Sequence, residues 1–295
     1  MLEARGHLVR QLRPRRVPQL TPVWLILPAV AYLALFFVWP LGVMVAKSFT
    51  DPHVGLGNYQ RFFQTPAMTH SLWVTIKITL VSTIVCAVLG YVYAYCMVHG
   101  RPAVRRALLV LVALPAALNL LVRTFALQVI LQDQGLVNRL LRDIGLTDHP
   151  LSLIRTPFAI GFGMVSLSLP FMIYPIYSAM RRIDPDLMFA ANSLGAGPSA
   201  AFRRVFLPLS MPGLAAGSLI VFVTGLGYYV VPQVLGNNGS DQFISQHVAH
   251  YENDGQWGFS AAIGVILMAI AIGIIGLAAR VVRVGDIMRS SVGGQ

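Results

Sequence analysis

Few residues in this sequence are of types that do chemistry, and their spacing suits little of it. His247 and His250 stand three apart, but no third ligand is spaced to complete a metal site, so no metal is expected and both read as solvated surface residues. The two cysteines, Cys86 and Cys96, lie in one apolar stretch and read as small apolar side chains, which excludes a disulfide framework. All eleven acidic residues fall in loops or tails, so none is placed mid-span where a proton-coupled carrier needs its carboxylate. There is no Gly-x-x-x-x-Gly-Lys-Ser/Thr loop, and Lys47 and Lys77, the only lysines, lie in other contexts. The chain is therefore not expected to bind ATP by that route. No Gly-x-Ser-x-Gly, His-Glu-x-x-His or paired intramembrane carboxylate points to catalysis, and no catalytic residue is assigned.

What remains is polar groups inside apolar stretches. Asn119, Arg123 and Gln128 share one such stretch, and Tyr228 and Tyr229 end another. All five are candidates for a translocation path. The tyrosines equally suit interfacial anchoring, which is the favoured reading for them. Arg123 either lines the path or its outer gate, pairs structurally, or snorkels outward, because an ionisable group at depth is costly unless it faces protein or water.

The elements that position these groups follow from composition. Of 295 residues 56% are hydrophobic and 11% charged, against roughly 25% charged in a soluble domain. That much apolar surface requires segments of about 20 helical residues crossing a hydrocarbon layer of ~30 Å. Six stretches answer the description: Val23 to Ala46, Ile78 to Val98, Ala107 to Ile130, Thr156 to Met180, Leu209 to Val231 and Gly258 to Ala279. The first is too long for a signal-peptide core and reads as a retained span. The third is the least regular, with Pro115 and Arg123 inside it. The fold class is all-α integral membrane with about six transmembrane helices: a basic tail over 1–21, a transmembrane domain over 22–283 and a second tail over 284–295.

Charge orients the spans. Fifteen of the 22 Lys and Arg residues fall in the N-terminal tail (Arg5, Arg10, Arg13, Arg15, Arg16), the second-to-third and fourth-to-fifth connections, and the C-terminus. With four acidic residues there, that side nets +11 and the remainder nets zero, which predicts cytoplasmic termini. The positive excess is a topology signal that meets anionic headgroups, and no nucleic-acid partner is expected. On the other side, Gln132 to Arg155 reads as a loop holding a short amphipathic helix, with Leu136, Leu140, Leu141 and Ile144 before Gly145. Gln233 to Trp257 reads as polar and turn-rich, with Gly236, Asn237, Asn238, Gly239 and Ser240 in succession.

The fourth-to-fifth connection, 183–208, carries the densest local signals. Asp184 is placed to N-cap a helix of about ten residues, Pro185 suits its first position, Asp186 favours the positive end of the dipole, and Gly195 suits a left-handed C′ residue. Leu187, Ala190, Ala191 and Leu194 then share a face at i, i+3, i+4 and i+7. After Gly197 and Pro198 a second short helix, Ala200 to Phe206, is expected before Pro208, so that the pair forms a compact knob.

These residues resemble the cytoplasmic signature of ABC-importer permeases: Glu-Ala-Ala, three residues, Gly, nine residues, Ile, one residue, Leu-Pro. Ala190, Ala191, Gly195, Leu207 and Pro208 match in register, Val205 stands for the Ile, and Phe189 replaces the Glu. GLGNYQRFF from Gly55, SLWVTIKIT from Ser71, LPFMIYPIYSAMRRIDPDL and VVPQVLG are similar to the spermidine/putrescine-type branch, so that the resemblance covers Pro22 to Arg283. The resemblance implies the type I importer permease architecture in a bacterial inner membrane. It implies a translocation path for a small solute, polyamine-like or a related organic solute or ion, shared with a homologous second permease. A cytoplasmic ATPase dimer would hold ATP and Mg, leaving this chain without a cofactor, and an extracytoplasmic binding protein would deliver solute. The alternative is a secondary carrier or channel acting alone. Asp184, Leu187, Phe189, Ala190, Ala191, Leu194, Gly195, Leu207 and Pro208 become the residues that couple to the ATPase.

Overall fold

A computed structural model describes residues 23–237, 239 and 242–292, with side chains placed over 26–237, 239 and 242–280. The N-terminal arginines, Asn238 and Ser240 lie outside the described residues, as do the side chains of Arg283, Asp286 and Arg289. The described residues fall into two compact units, divided between Ala46 and Lys47. In the first, α1 (Val23–Leu33) passes through a π-helical turn (Ala34–Val38) into α2 (Trp39–Thr50). It is apolar on every face, as suits a helix surrounded by hydrocarbon.

The second unit is built on three helices. α4 (Pro66–His99), preceded by the short α3 (Gly57–Gln64), packs on α8 (Pro157–Arg181), and both pack on α11 (Leu207–Leu226). Lipid-solvated helices gain nothing from hydrophobic expulsion and associate through close packing, which small residues permit. Gly90 on α4 and Gly217 on α11 both face Met172 of α8: a Cβ at Gly217 would lie 2.8 Å from its sulfur and 3.0 Å from its carbonyl oxygen. Met172, Ile173 and Ile176 are fully buried between these helices. α14 (Trp257–Val292) lies against α11 and α3.

Among the described residues, five helices are long and apolar enough to cross a membrane, and a sixth span results if one bent pair is counted as a single crossing. That pair is the expected third span. α5 (Pro102–Ala117) and the helical stretch beginning at Leu120 meet at 102°. Pro115 offers no N–H to the carbonyl of Leu111 and weakens the last turn of α5. Leu118 is extended, and Asn119 restarts the chain as the N-cap of α6 (Leu120–Leu131), its Oδ1 accepting from the Leu121 N–H at 2.8 Å. At 1.5 Å per residue α6 is only about 18 Å long and cannot cross alone.

α7 (Leu136–Asp143) forms where the amphipathic pattern places it, with Gly145 left-handed beyond its end. Its packed side carries Val137 and the fully buried Asn138, which bonds the backbone of Gln132 and Leu151; Leu136, Leu140 and Ile144 stay exposed. The expected turn-rich segment 233–257 is instead largely helical: α12 (Val230–Leu235) and α13 (Ile244–Asn253). The polar residues that open α13 are bonded rather than solvated. The Ile244 N–H reaches Thr75 Oγ1 at 2.9 Å, and Gln246 Oε1 accepts from the Phe243 N–H while its Nε2 donates to Gln233 Oε1. The fifth span also stops earlier than expected, at Leu226, and Tyr228 and Tyr229 form the break before α12.

α4 relates the two ends. Ser71, near its start, bonds His247 of α13; near its end, Tyr95 packs edge-on against Phe202 and Phe206, and His99 lies tilted against Phe206. The segment 183–208 and α13 therefore lie at opposite ends of the second unit.

Candidate functional site

At one end, α9 (Pro185–Ser193) forms as its start and stop signals require. Asp184 Oδ1 accepts from the Asp186 N–H at 3.0 Å, and Pro185 takes the first turn. Gly195 has φ +85°, the Ala196 N–H bonds Ala191 O, and the Gly195 N–H bonds Asn192 O. This is the paired 6→1 and 5→2 closure in which a left-handed C′ residue satisfies the last carbonyls. Nothing lies within 4 Å of a Cβ built at Gly195, so its requirement is conformational and not steric.

The second short helix does not stand alone, and the two-helix knob is corrected accordingly. α10 (Pro198–Ala201) runs through a π-helical turn (Phe202–Phe206) straight into α11, with the Leu207 N–H bonding Phe202 O five residues back. Pro208 lies in the first turn of α11, where its missing N–H and ring would break a four-residue ladder; the wider π turn absorbs both. The consequence is mechanical. Leu207 and Pro208 belong to a single 29-residue helix, Pro198–Leu226, so a displacement at Pro198 is carried into the membrane without a joint.

α9 itself has no buried residue. Met188 packs toward the core, leaving Leu187, Phe189 and Leu194 exposed, the last at 89%. Ala190 is exposed beside them and Ala191 half-buried. Beneath lies an aromatic cluster that the sequence reading missed: Tyr91, Tyr95 and His99 of α4 against Phe202 and Phe206, with the Tyr91 hydroxyl 2.8 Å from Ser210 Oγ. Its signal was present as i, i+4, i+8 spacing on one segment and i, i+4 on the other.

The five path candidates separate. Asn119 is the exposed cap of the α5–α6 break, and Gln128 is half-buried elsewhere on α6. Arg123 and Tyr228 converge on α8: Arg123 Nη2 donates to Ser166 O at 3.0 Å, and the Tyr228 hydroxyl lies 3.1 Å from Ser168 Oγ. Tyr228 O also accepts from Ser245 Oγ, so this tyrosine is built into the protein. Tyr229 lines a cup of about 510 Å³ at the α13 end, with Thr65, Gln233, Gln246, His247, His250 and Tyr251 among its walls. Within it His247 departs from the expected solvated role: its Nε2 lies 2.9 Å from Ser71 Oγ. Burial, with His250 adding to it, holds the imidazole below its ordinary range. His250 is exposed, 3.5 Å from Asp254.

A bundle of lipid-compatible helices, proline-broken near polar side chains and carrying an unburied short helix at one end, is the architecture of a membrane transport subunit. The solved structure of a bacterial ABC transporter that imports alginate shares this fold, with a TM-score of 0.72 at 17% identity over 88% of this chain and 94% of that one. Residues 87–283 match the family model for the binding-protein-dependent transport system inner membrane component. Over 258 residues the chain is 34% identical to the spermidine/putrescine transport system permease PotB of Haemophilus influenzae, covering 84% of this chain and 88% of that protein. The Escherichia coli PotB is 31% identical over 83% and 92%. The chain belongs to the binding-protein-dependent inner membrane components, the ABC importer permeases, in their spermidine/putrescine-type branch. It is a multi-pass translocation subunit of an ATP-driven importer and not a carrier or channel acting alone.

Proposed function

We propose that segment 183–208 docks a cytoplasmic ATPase and converts nucleotide-driven closure into movement of α11 and, through the aromatic cluster, of α4. The observation that carries this reading is α9: a capped helix that, among the described residues, leaves Leu187, Phe189 and its C-cap Leu194 exposed, and that is followed, after the turn at Gly195 to Gly197, by one continuous helix running into a span. Asp184 and Gly195 fix its two ends, Leu187, Ala190, Ala191 and Leu194 supply the docking face, and Leu207 and Pro208 pass the load inward.

In this reading the termini and 183–208 are cytoplasmic, and the α13 cup opens outward to receive solute from an extracytoplasmic binding protein. The path is completed by a homologous second permease. ATP and Mg are held by the ATPase pair, and this chain contributes no catalytic group. The solute class suggested by the PotB relatives is a polyamine or a related small organic solute or ion. Reconstitution tests the proposal. Uptake of spermidine into proteoliposomes should require the ATPase, hydrolysable ATP and the binding protein, and should survive an ionophore. Uptake that persists with an inactive ATPase and collapses with the ionophore would overturn it.

A further inference from the structure

We infer that Arg123 is a latch for a carbonyl that Pro170 leaves without a partner, and that it thereby holds the broken third span against α8. In a helix the N–H of residue i+4 serves the carbonyl of residue i. Pro170 lies inside α8 and has no N–H, so Ser166 O is without its intrahelical donor. Arg123 Nη2 donates to that same oxygen at 3.0 Å. Pro170 is buried, and no water reaches the hydrocarbon depth of a span to substitute; an unserved carbonyl there is what membrane proteins avoid.

The donor comes from the element that most needs fixing. α6 begins at the 102° break, is too short to cross by itself, and carries Arg123 in its first turn. A guanidinium suits the task because it keeps its charge and offers several N–H donors on a long stem, so that one can reach a backbone oxygen on a neighbouring helix. Two residues from the freed carbonyl, the Tyr228 hydroxyl meets Ser168 Oγ. The stretch of α8 before Pro170 is thus held by one side chain from α6 and one from the α11–α12 break. Arg123 is a positioning residue for transport and not a ligand for the solute.

The inference rests on the permease reading, and its test separates the two. Arg123→Leu, Pro170→Ala and the double variant are compared in the complex with its partner permease and ATPase, in lipid nanodiscs. The primary readout is the thermal midpoint, which needs no solute. Arg123→Leu lowers the midpoint, and in the Pro170→Ala background, where the restored amide serves Ser166 O, the loss falls to half or less. An equal loss in both backgrounds overturns the latch. With the spermidine-loaded binding protein, Arg123→Leu lowers maximal hydrolysis while leaving the half-saturating concentration of that protein unchanged, and Pro170→Ala restores the rate. A raised half-saturating concentration without rescue identifies a solute contact and overturns the latch, whereas an unresponsive wild-type complex speaks against the permease reading alone. If Pro170→Ala does not assemble, the Ser166 carbonyl carbon resonance decides, assigned with a Ser166→Ala variant. It moves upfield in Arg123→Leu if the bond is lost, and an unmoved resonance overturns the inference.

Discussion

Residue by residue, side chains that look alike in type act differently according to what their helix ends need. Asp184 and Asn119 are both N-caps, one starting the exposed helix α9 and one restarting a span after a break. Phe189 stands where the family signature has Glu and is 67% exposed. If it meets an apolar wall of the ATPase, Phe189→Glu strands a carboxylate there, at a cost above the ~1–3 kcal/mol of an unpaired neutral polar group. Co-purification of the ATPase should then fall several-fold, and tighter association would show the pocket to be polar. His247 gives a pH prediction with a definite sign. Its folded value is below the ordinary imidazole value, so the unfolded chain takes the proton first. Its contribution to stability is complete above about pH 6.5 and is lost as pH falls through the folded value. Ser71 faces it from α4, and His250 and Tyr251 lie beside it on α13. Amide exchange in α13, corrected for the intrinsic rate, should quicken as pH falls below about 6.5, and His247→Gln should flatten that change. The same acceleration in the variant would remove His247 as its cause.

Among the elements, what was legible in the sequence was what local chemistry decides. The Asp184, Pro185 and Gly195 signals act within one or two turns, and α9 starts and stops where they place it. α7 likewise follows its own apolar spacing up to Gly145. The misreadings came where a distant partner decides. Polar Ser245 and Gln246 helped 233–257 read as turn-rich, yet each is bonded across elements, as the Ile244 N–H is to Thr75 of α4, and the helix they support is invisible to periodicity. Pro115 and Arg123 announced a disturbance in the third span, but the 102° turn depends on what α6 finds on α8 and α12. Pro208 read as a stop because the π turn that admits it needs the tertiary bed of Tyr95 and His99. Close helix approach gives the element-scale prediction. Gly217→Val presses on the Met172 carbonyl oxygen and sulfur, and overpacking of this kind costs about 1–3 kcal/mol. Its thermal midpoint should drop in detergent, whereas Gly197→Ala, with open space and ordinary φ, should leave it unchanged. Equal midpoints for both variants would contradict the α8–α11 packing.

For the whole molecule, the asymmetry of +11 against zero predicts which side is cytoplasmic, and the separation of α9 from α13 by the length of α4 places the two at opposite ends of the second unit. Cysteine labelling with an impermeant reagent in intact spheroplasts should mark position 148 in Asp148→Cys and leave position 203 in Arg203→Cys untouched. The reverse pattern would invert the topology and with it the assignment of both ends. The proposed transport cycle depends on one link, that 183–208 connects a nucleotide engine to the spans. Gly195→Val tests it most directly, because a β-branched residue at φ +85° costs roughly 1–3 kcal/mol in backbone strain and undoes the closure at Ala191 and Asn192, while touching no membrane-spanning contact. In purified complexes with the loaded binding protein present, the variant should be inserted and paired with its partner permease. It should hold less ATPase and show no solute-stimulated hydrolysis; stimulated hydrolysis at the wild-type rate would contradict the coupling role and leave the segment a structural cap.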